Sequence, residues 1–564
     1  MTKIKKSEVN LIPDNKFMTI ARVIVAVIML AVMGILTTQS LLGTSDMQIV
    51  MEENTIDSVL FRVRQGWETV VYYSDDVFAN AIWLVCGFIF ISLLLPLIKK
   101  IPVWAQVTIT ATWTIVIGTI WIFSSNLSPT EDSYRVTQAA LSAYNNDFEF
   151  LAESERYFRN YSYQLGYVFF NEFFVRIAHI FGPVENLLFL EVINVFLLAA
   201  TYGALILMNK HIFNDERVCA VTSLLFILAA QPIIFCSFLY GFIPGLAFAV
   251  YGLFFMVLYL KKAKIIYAPF SVICTALAVM IKQNYLIVLV AICCITFTAM
   301  FKRKKFVRDI LFIAASIALA LAVNPAVKSH YEKRANVDLG ESIPITSWIS
   351  MGLHEAGNAP GWYSPYYTID IFAENNFNPD KASEKSMEQI KGRIDYFKEH
   401  PQYRKEFFYK KFMSQWNETS YQSIWNNQIR NNYKPRTALA QWVCTDGEDT
   451  VKQYMDYFAQ FIFAAVFVGL LACLKNKNFL SITLPVVIIG GVIYHILAEA
   501  KSQYAMPYFI LMIGFGAYGV IMAYDYFGKK SENNKFAKLI FNHEYFSQKL
   551  SAVMTSKNDK KDSK

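Results

Sequence analysis

The chain has 564 residues, of which 55% are hydrophobic, 16% aromatic and only 17% charged, and its formal net charge is +8. That balance excludes an ordinary soluble protein, because buried core helices run to about 10–14 apolar residues whereas apolar runs of about 20 recur here. The positive charge does not point to nucleic acid, since the basic residues stand in short clusters beside apolar runs instead of forming one stripe.

Residues 1–16 are polar and carry Lys3, Lys5 and Lys6. The run that follows is too long for the apolar part of a cleaved signal and lacks a small-residue cleavage site, so 18–41 is expected to stay as the first span, leaving the cytoplasm outward. An acid-rich outer loop fills 43–76, and 77–98 returns to Lys99 and Lys100. Pro102 opens a third span, which leads out to Asn126. The stretch 126–183 is polar first and strongly aromatic afterwards, with Glu131, Asp132 and Arg135 just beyond the end of a span. Its second part, 163–181, is too short and too polar to cross a bilayer, yet dense in aromatics, and is expected to lie in the membrane interface.

Spans are then expected at 184–208, 218–240, 243–260, 267–281, 286–300 and 310–324. Lys210, His211 and Arg217, then Lys261, Lys262 and Lys264, then Lys302 to Lys305 mark their cytoplasmic ends. The 267–281 run ends outward at Lys282, Gln283, Asn284 and Tyr285. From 325 to 453 no spanning run occurs. A polar segment of roughly 130 residues is long for a loop and is expected to form a mostly helical extracytoplasmic domain. Within it Met387, Ile390, Ile394 and Phe397 recur at helical spacing, with a break at Pro401. Patches at 345–367 and 412–425, rich in Trp, Tyr, Gly and Asn, suit either stacking on a sugar or headgroup or packing on the membrane domain. Spans at 454–474, 479–498 and 504–524 precede a charged tail.

The fold class is therefore an all-α polytopic membrane protein with about twelve transmembrane helices. Its parts are expected to be 1–125, 126–183, 184–325, 326–453, 454–525 and 526–564, with both termini cytoplasmic and the protein multi-pass in the cell membrane. Seven of the eight cysteines fall in apolar runs and Cys444 stands alone in a polar one, so no disulfide framework or zinc spacing can be read. No cofactor is indicated, and a divalent metal is left open.

Three charged segments meet at the outer surface on this topology: Glu131–Asp132–Ser133 with Arg135, Lys282–Gln283–Asn284, and the run from Glu499 through Lys501 to Tyr504. One carboxylate can deprotonate an acceptor hydroxyl while cations neutralise a phosphate leaving group. The structural alternatives are interfacial anchoring for Lys282 and Lys501 and a helix N-cap for Asp132. Within the spans, Glu191, Asn194 and His495 are expected to face a cavity or a buried partner.

At these residues the chain resembles the GT-C superfamily of polytopic glycosyltransferases, most closely bacterial membrane enzymes with a family-39-like or RgtA/B/C/D-like domain. The resemblance is carried by Pro129 and Asp132, Ala139–Ala140, Asn146–Asp147–Phe148, Tyr157, and Tyr163–Gln164–Leu165–Gly166. It continues through Trp348 to Leu353, Gly361–Trp362–Tyr363, Gln415–Trp416–Asn417–Glu418, and Glu499 to Tyr504. Many relatives have paired acids or Pro-His-Gln where Ser162–Tyr163–Gln164 stands, and Arg in place of Lys501 or Gln503. What the resemblance implies is a GT-C-like core and an inverting glycosyltransferase that uses a polyprenyl-phosphate-linked sugar. The acceptor would be a cell-envelope glycan, lipid or protein at the outer face of the membrane. Asp132 matches the catalytic carboxylate, and Glu131, Arg135, Tyr163, Gln164, Lys282, Asn284, Glu499, Lys501 and Tyr504 are the expected substrate contacts. A polymerase or ligase of lipid-linked glycans is the alternative. A flippase or transporter fits less well, because the outer domain is large and asymmetric and the acids lie at the surface.

Overall fold

The structure is a computed structural model, and it describes residues 14–51, 66–152, 156–184, 187–355, 359–429, 436–530, 538, 540 and 541. The Lys3, Lys5 and Lys6 cluster and nearly all of the charged tail lie outside the described residues.

In hydrocarbon a backbone must satisfy its own hydrogen bonds, so long apolar runs fold as helices. Among the described residues ten helices are long and apolar enough to cross a membrane. They are Lys16–Leu42, Val77–Ile98, Val103–Ser125, Leu188–Phe213, Phe242–Lys262, Gln283–Arg303, Phe306–Ala335, Glu448–Lys475, Phe479–Leu497 and Met506–Lys530. The polytopic all-α class holds. The apolar core of Met506–Lys530 is 89% buried and that of Val77–Ile98 only 22%, which makes the former the centre of the bundle and turns the latter's side chains outward to lipid.

One expected span comes out split, and another, helical over its expected bounds, is short for a crossing. The run 218–240 is split into Glu216–Leu228 and Ala230–Phe235. The cause is Pro232, whose ring would clash with the Leu228 carbonyl one turn back and which offers no N–H. Ala229 turns extended, with φ −74° and ψ 105°, and the Leu228 carbonyl accepts from the Tyr454 hydroxyl at 2.6 Å instead. Tyr267–Ile281 is helical but has only 15 residues. Conversely, Phe306–Ala335 does not stop near Asn324 but runs through Pro325 for 30 residues. Its last turns are held by Glu172, which accepts from Tyr331 at 2.6 Å and Arg334 at 2.9 Å.

The acid-rich segment after the first span is not merely a loop. Strands β1 (Gly43–Met51) and β2 (Gly66–Ser74) pair antiparallel, from Gly43 opposite Ser74 to Met51 opposite Gly66. Met47 and Val70 face each other across the ladder and are buried with Trp362, Trp425 and Ala500. The hairpin thus braces the segment that carries Glu499 and Lys501.

In the polar region, Pro379–Glu399 and Pro401–Trp416 are separate helices, divided at Pro401 as the sequence predicts. Only half of the expected stripe is inside: Ile390 and Phe397 are buried with Leu353 and Phe407, whereas Met387 and Ile394 are exposed. The short Leu165–His179 helix buries Leu165, Val168 and Glu172 and exposes Phe169, Phe173 and Ile177, a face suited to the membrane interface.

Candidate active site

The helix Glu131–Tyr144 begins at one end of the bundle. Thr130 is its N-cap, and its backbone N–H donates to Ser133 Oγ at 3.3 Å. Asp132 is therefore not the cap, and its exposed carboxylate faces a cavity of about 910 Å³. Glu131, beside it, takes φ 47°, a left-handed conformation that costs a non-glycine residue roughly 1–2 kcal/mol.

Asp132 Oδ2 accepts a hydrogen bond from the Tyr240 hydroxyl at 3.0 Å. The Tyr240 hydroxyl oxygen in turn accepts from Gln164 Nε2 at 2.6 Å. Tyr240 is delivered by the turn after the Pro232 break: Asn194 Nδ2 donates to the Cys236 carbonyl at 2.9 Å, and Gly241 reverses the chain at φ 78°. Gly166, two residues past Gln164, packs so tightly on Met280 that a Cβ there would lie 1.8 Å from the Met280 carbonyl oxygen. A glycine is required at that approach.

The opposite wall is the Glu499–Tyr504 segment. Tyr504 donates to Glu499 Oε2 at 3.0 Å, and His495 Nδ1 pairs with the Glu499 carbonyl at 2.7 Å. Burial pushes the Glu499 carboxyl above the usual range, against the pull of Lys501, the Tyr504 bond and Lys282. Ser502 Oγ donates to the buried Glu418 at 2.6 Å, and Lys411, fully buried, donates to the Gly352 and Ala498 carbonyls. Burial pushes the Lys411 ammonium down to about 7, with Glu499 opposing that shift.

Lys282, Asn284 and Tyr163 occupy the turns between these walls. Asn284 and Tyr163 line the cavity directly. Lys282 stands behind the lining: its Nζ is 3.7 Å from the Tyr240 ring centroid and 4.0 Å from that of Phe242, and it donates to the Tyr240 carbonyl at 3.2 Å. Burial pushes this ammonium down to about 7, opposed by Asp132 and Glu499. Across the mouth, Arg135 lies 5.4 Å from the Tyr157 ring and Lys501 5.6 Å from that of Trp362.

The three predicted segments therefore come together. Glu131, Asp132, Arg135, Tyr163, Asn284, Glu499, Lys501 and Tyr504 line one cavity, with Gln164 and Lys282 a layer behind. Its carboxylates Glu131, Asp132, Glu341 and Glu499 are matched by Arg135, Arg156, Lys328 and Lys501, so the lining is balanced in charge. Of the polar residues in the spans, His495 lines the cavity; Glu191 is buried elsewhere and Asn194 holds the turn that carries Tyr240. Sequence reading missed Tyr240, which it treated only as the end of a span, and Arg156, Lys328, Glu341 and Tyr494. The turn signal at Gly241 was the available pointer to Tyr240. Chemically the site offers carboxylates to accept a proton, cations to balance a phosphate, and the rings of Tyr161, Trp348 and Tyr363 to cover a ligand face.

No family model and no curated protein matches the chain. Among solved structures it is similar to the archaeal oligosaccharyltransferase AglB from Archaeoglobus fulgidus in complex with an inhibitory peptide and a dolichol-phosphate, at 12% identity and a TM-score of 0.40, covering 81% of this chain and 54% of that one. The apo form of the Archaeoglobus fulgidus oligosaccharyltransferase gives 12% identity and a TM-score of 0.40, covering 78% and 52%. The chain spans about half the length of the structures it matches.

Proposed function

We propose that the chain is a GT-C-type membrane glycosyltransferase that moves a sugar from a polyprenyl-phosphate donor to a hydroxyl of a cell-envelope acceptor, with inversion at the anomeric carbon. The observation that carries this reading is Asp132: a carboxylate at the cavity surface, oriented by Tyr240, in the same cavity as Arg135 and Lys501. In the step proposed, Asp132 takes the acceptor's hydroxyl proton as that oxygen bonds to the anomeric carbon. The bond from that carbon to the donor phosphate breaks with its electron pair, and polyprenyl phosphate leaves. Lys501 and Arg135 balance the charge gained on the phosphate. The cavity, about 910 Å³, falls within the range that encloses small ligands, roughly 300–1,000 Å³. The basic helix ends at Lys99, Lys261, Lys302 and Lys529 support cytoplasmic termini and an extracytoplasmic site.

The test is release of free polyprenyl phosphate from a labelled lipid-linked sugar by the purified protein, with Asp132→Asn and Glu131→Gln alongside. Release is expected from the parent, with turnover falling about 10²-fold or more in Asp132→Asn and much less in Glu131→Gln. Transport of the lipid without release would refute the transferase. Near-parental turnover in Asp132→Asn would move the base to another residue.

A further inference from the structure

We infer that the end of the bundle opposite the cavity carries a site for one anionic phospholipid, its acyl chain laid along a stripe of phenylalanines and its phosphate held by Lys16, Lys302, Lys304 and Lys305. The inference goes beyond the transferase reading and does not depend on it. Gln283–Arg303 connects the two ends: Gln283 and Asn284 line the cavity, and a helix of 21 residues puts Arg303 about 30 Å away. On the orientation proposed above, the site faces the inner leaflet. Phe301 is the centre of the stripe. Its ring centroid lies 5.1 Å from that of Phe17, 5.2 Å from that of Phe297 and 6.2 Å from that of Phe306, each pair edge to face. The four rings come from three spans, Lys16–Leu42, Gln283–Arg303 and Phe306–Ala335, and all are 43–47% exposed. Joined in this way they make one apolar track that leads to the helix ends.

The arginines at this end are neutralised within the protein. Arg303 turns inward onto Asp309 at 2.7 Å, and Asp309, wholly buried, also accepts from the Tyr259 hydroxyl at 2.5 Å. Arg22 is engaged by Asp14 at 2.8 Å, and Arg217 by Asp215 and Asp525 at 2.7 and 2.6 Å. Lys16, Lys302, Lys304 and Lys305 differ: all four are exposed, and among the described residues none of them makes an ion pair. The acids nearest them in the chain, Asp14 and Asp309, are both bonded, so neither repels a phosphate. A lysine at the surface of an anionic leaflet strengthens association about fivefold. Depth selects a lipid over a soluble anion. Phe297 lies about 9 Å short of Arg303 along its helix, at acyl depth, while the lysines stand at the helix ends, at headgroup depth. The positive-inside tendency accounts for lysines at these ends but not for rings from three helices meeting beside them.

The experiment titrates the purified full chain with dioleoyl phosphatidylglycerol, dioleoyl phosphatidylcholine and glycerol phosphate, and reads the tightest bound copy by native mass spectrometry. Phosphatidylglycerol is expected to bind about tenfold or more tighter than phosphatidylcholine, which has the same tails, and glycerol phosphate, which has none, is expected not to be retained. Changing Lys16, Lys302, Lys304 and Lys305 together to Gln should cut the phosphatidylglycerol affinity about tenfold or more. The same change at Lys99, Lys100, Lys529 and Lys530, on the flank where Phe88 and Phe527 meet at 5.8 Å, should leave it within about twofold. Phe301→Ala, with every lysine intact, should weaken it about tenfold. If either test variant melts early, Lys302→Glu, at an exposed position, gives the same reading on folded protein. The inference is overturned if the two lipids bind alike, if both lysine sets cost the same, if glycerol phosphate binds as well as the lipid, or if Phe301→Ala changes nothing. Displacement of phosphatidylglycerol by an equal concentration of undecaprenyl phosphate would also overturn it, because the occupant would then be a polyprenyl phosphate.

Discussion

Tyr240→Phe removes one oxygen and nothing else from the wall of the cavity, which makes it the cleanest perturbation of the proposed base. The lost hydroxyl donates to Asp132 Oδ2 at 3.0 Å and accepts from Gln164 Nε2 at 2.6 Å. A hydrogen bond to a charged group is worth about 1.5–3 kcal/mol, and each 1.36 kcal/mol is a factor of ten in rate. If the bond holds the carboxylate in place through the transition state, turnover should fall about 10- to 150-fold while donor KM stays near the parent's. Steady-state release of polyprenyl phosphate, on protein matched for folded amount, reads both constants. The decisive measurement repeats the substitution in an Asp132→Asn background, where the orienting bond has no base left to serve and the effect should nearly vanish. An equal loss in both backgrounds would show that Tyr240 acts on the fold and not on Asp132. Parental turnover in Tyr240→Phe, with Asp132→Asn inactive, would show that the carboxylate needs no such support.

Lys501→Gln should raise the apparent donor KM about tenfold at unchanged membrane abundance, whereas Lys282→Gln, whose ammonium lies on the Tyr240 ring, should lower turnover in the parent but add nothing in Tyr240→Leu. Parental kinetics in both single variants would reduce the two lysines to anchors. Lys411 titrates near 7 in the folded chain against 10.5 unfolded, so the unfolded state binds more protons between those values. Stability should therefore rise with pH above about 7, by at most about 1.4 kcal/mol per unit, and Lys411→Met should flatten that slope in detergent unfolding curves. Cysteines at Asp132 and at Asp380 should react with an impermeant thiol reagent in intact cells and one at Lys304 should not; labelling at Lys304 alone would invert the proposed orientation.

Helices that hydropathy can see were legible in the sequence, because a bilayer imposes length and composition on anything that crosses it. Asp132, Glu499 and Lys501 were legible too, since charges at span ends on one side must share a surface. Tyr240 was not, because a phenol at the end of an apolar run reads as an interfacial anchor until its partner is known. The split at Ala229 was signalled by Pro232, but an apolar run of normal spanning length outweighed one proline. The β1–β2 hairpin was hidden among acidic residues, although Val70, Val71, Tyr72 and Tyr73 are strand formers. Met387 and Ile394 misled because helical periodicity says which residues share a face and not how much of that face is covered. Lys282 was placed correctly along the chain and wrongly in depth, since topology fixes the end of the bundle and only packing decides what lies in front.

The contact between Gly166 and Met280 bears on the shape open to the proposed lipid-linked donor. With no room for even a methyl group between them, the turn bearing Tyr163 and Gln164 and the one bearing Lys282 to Asn284 already stand at their closest approach, so the cavity cannot narrow there. The seam between 160–162 and 341–345 is held instead by hydrogen bonds, from the Ser162 N–H to Ser342 Oγ at 3.0 Å, between the Ser162 and Ser342 hydroxyls at 2.7 Å and from the Ile343 N–H to the Asn160 carbonyl at 3.3 Å. Steric contact thus bounds one side of the cavity and hydrogen bonds the other, and the glycine marks the side that cannot close further.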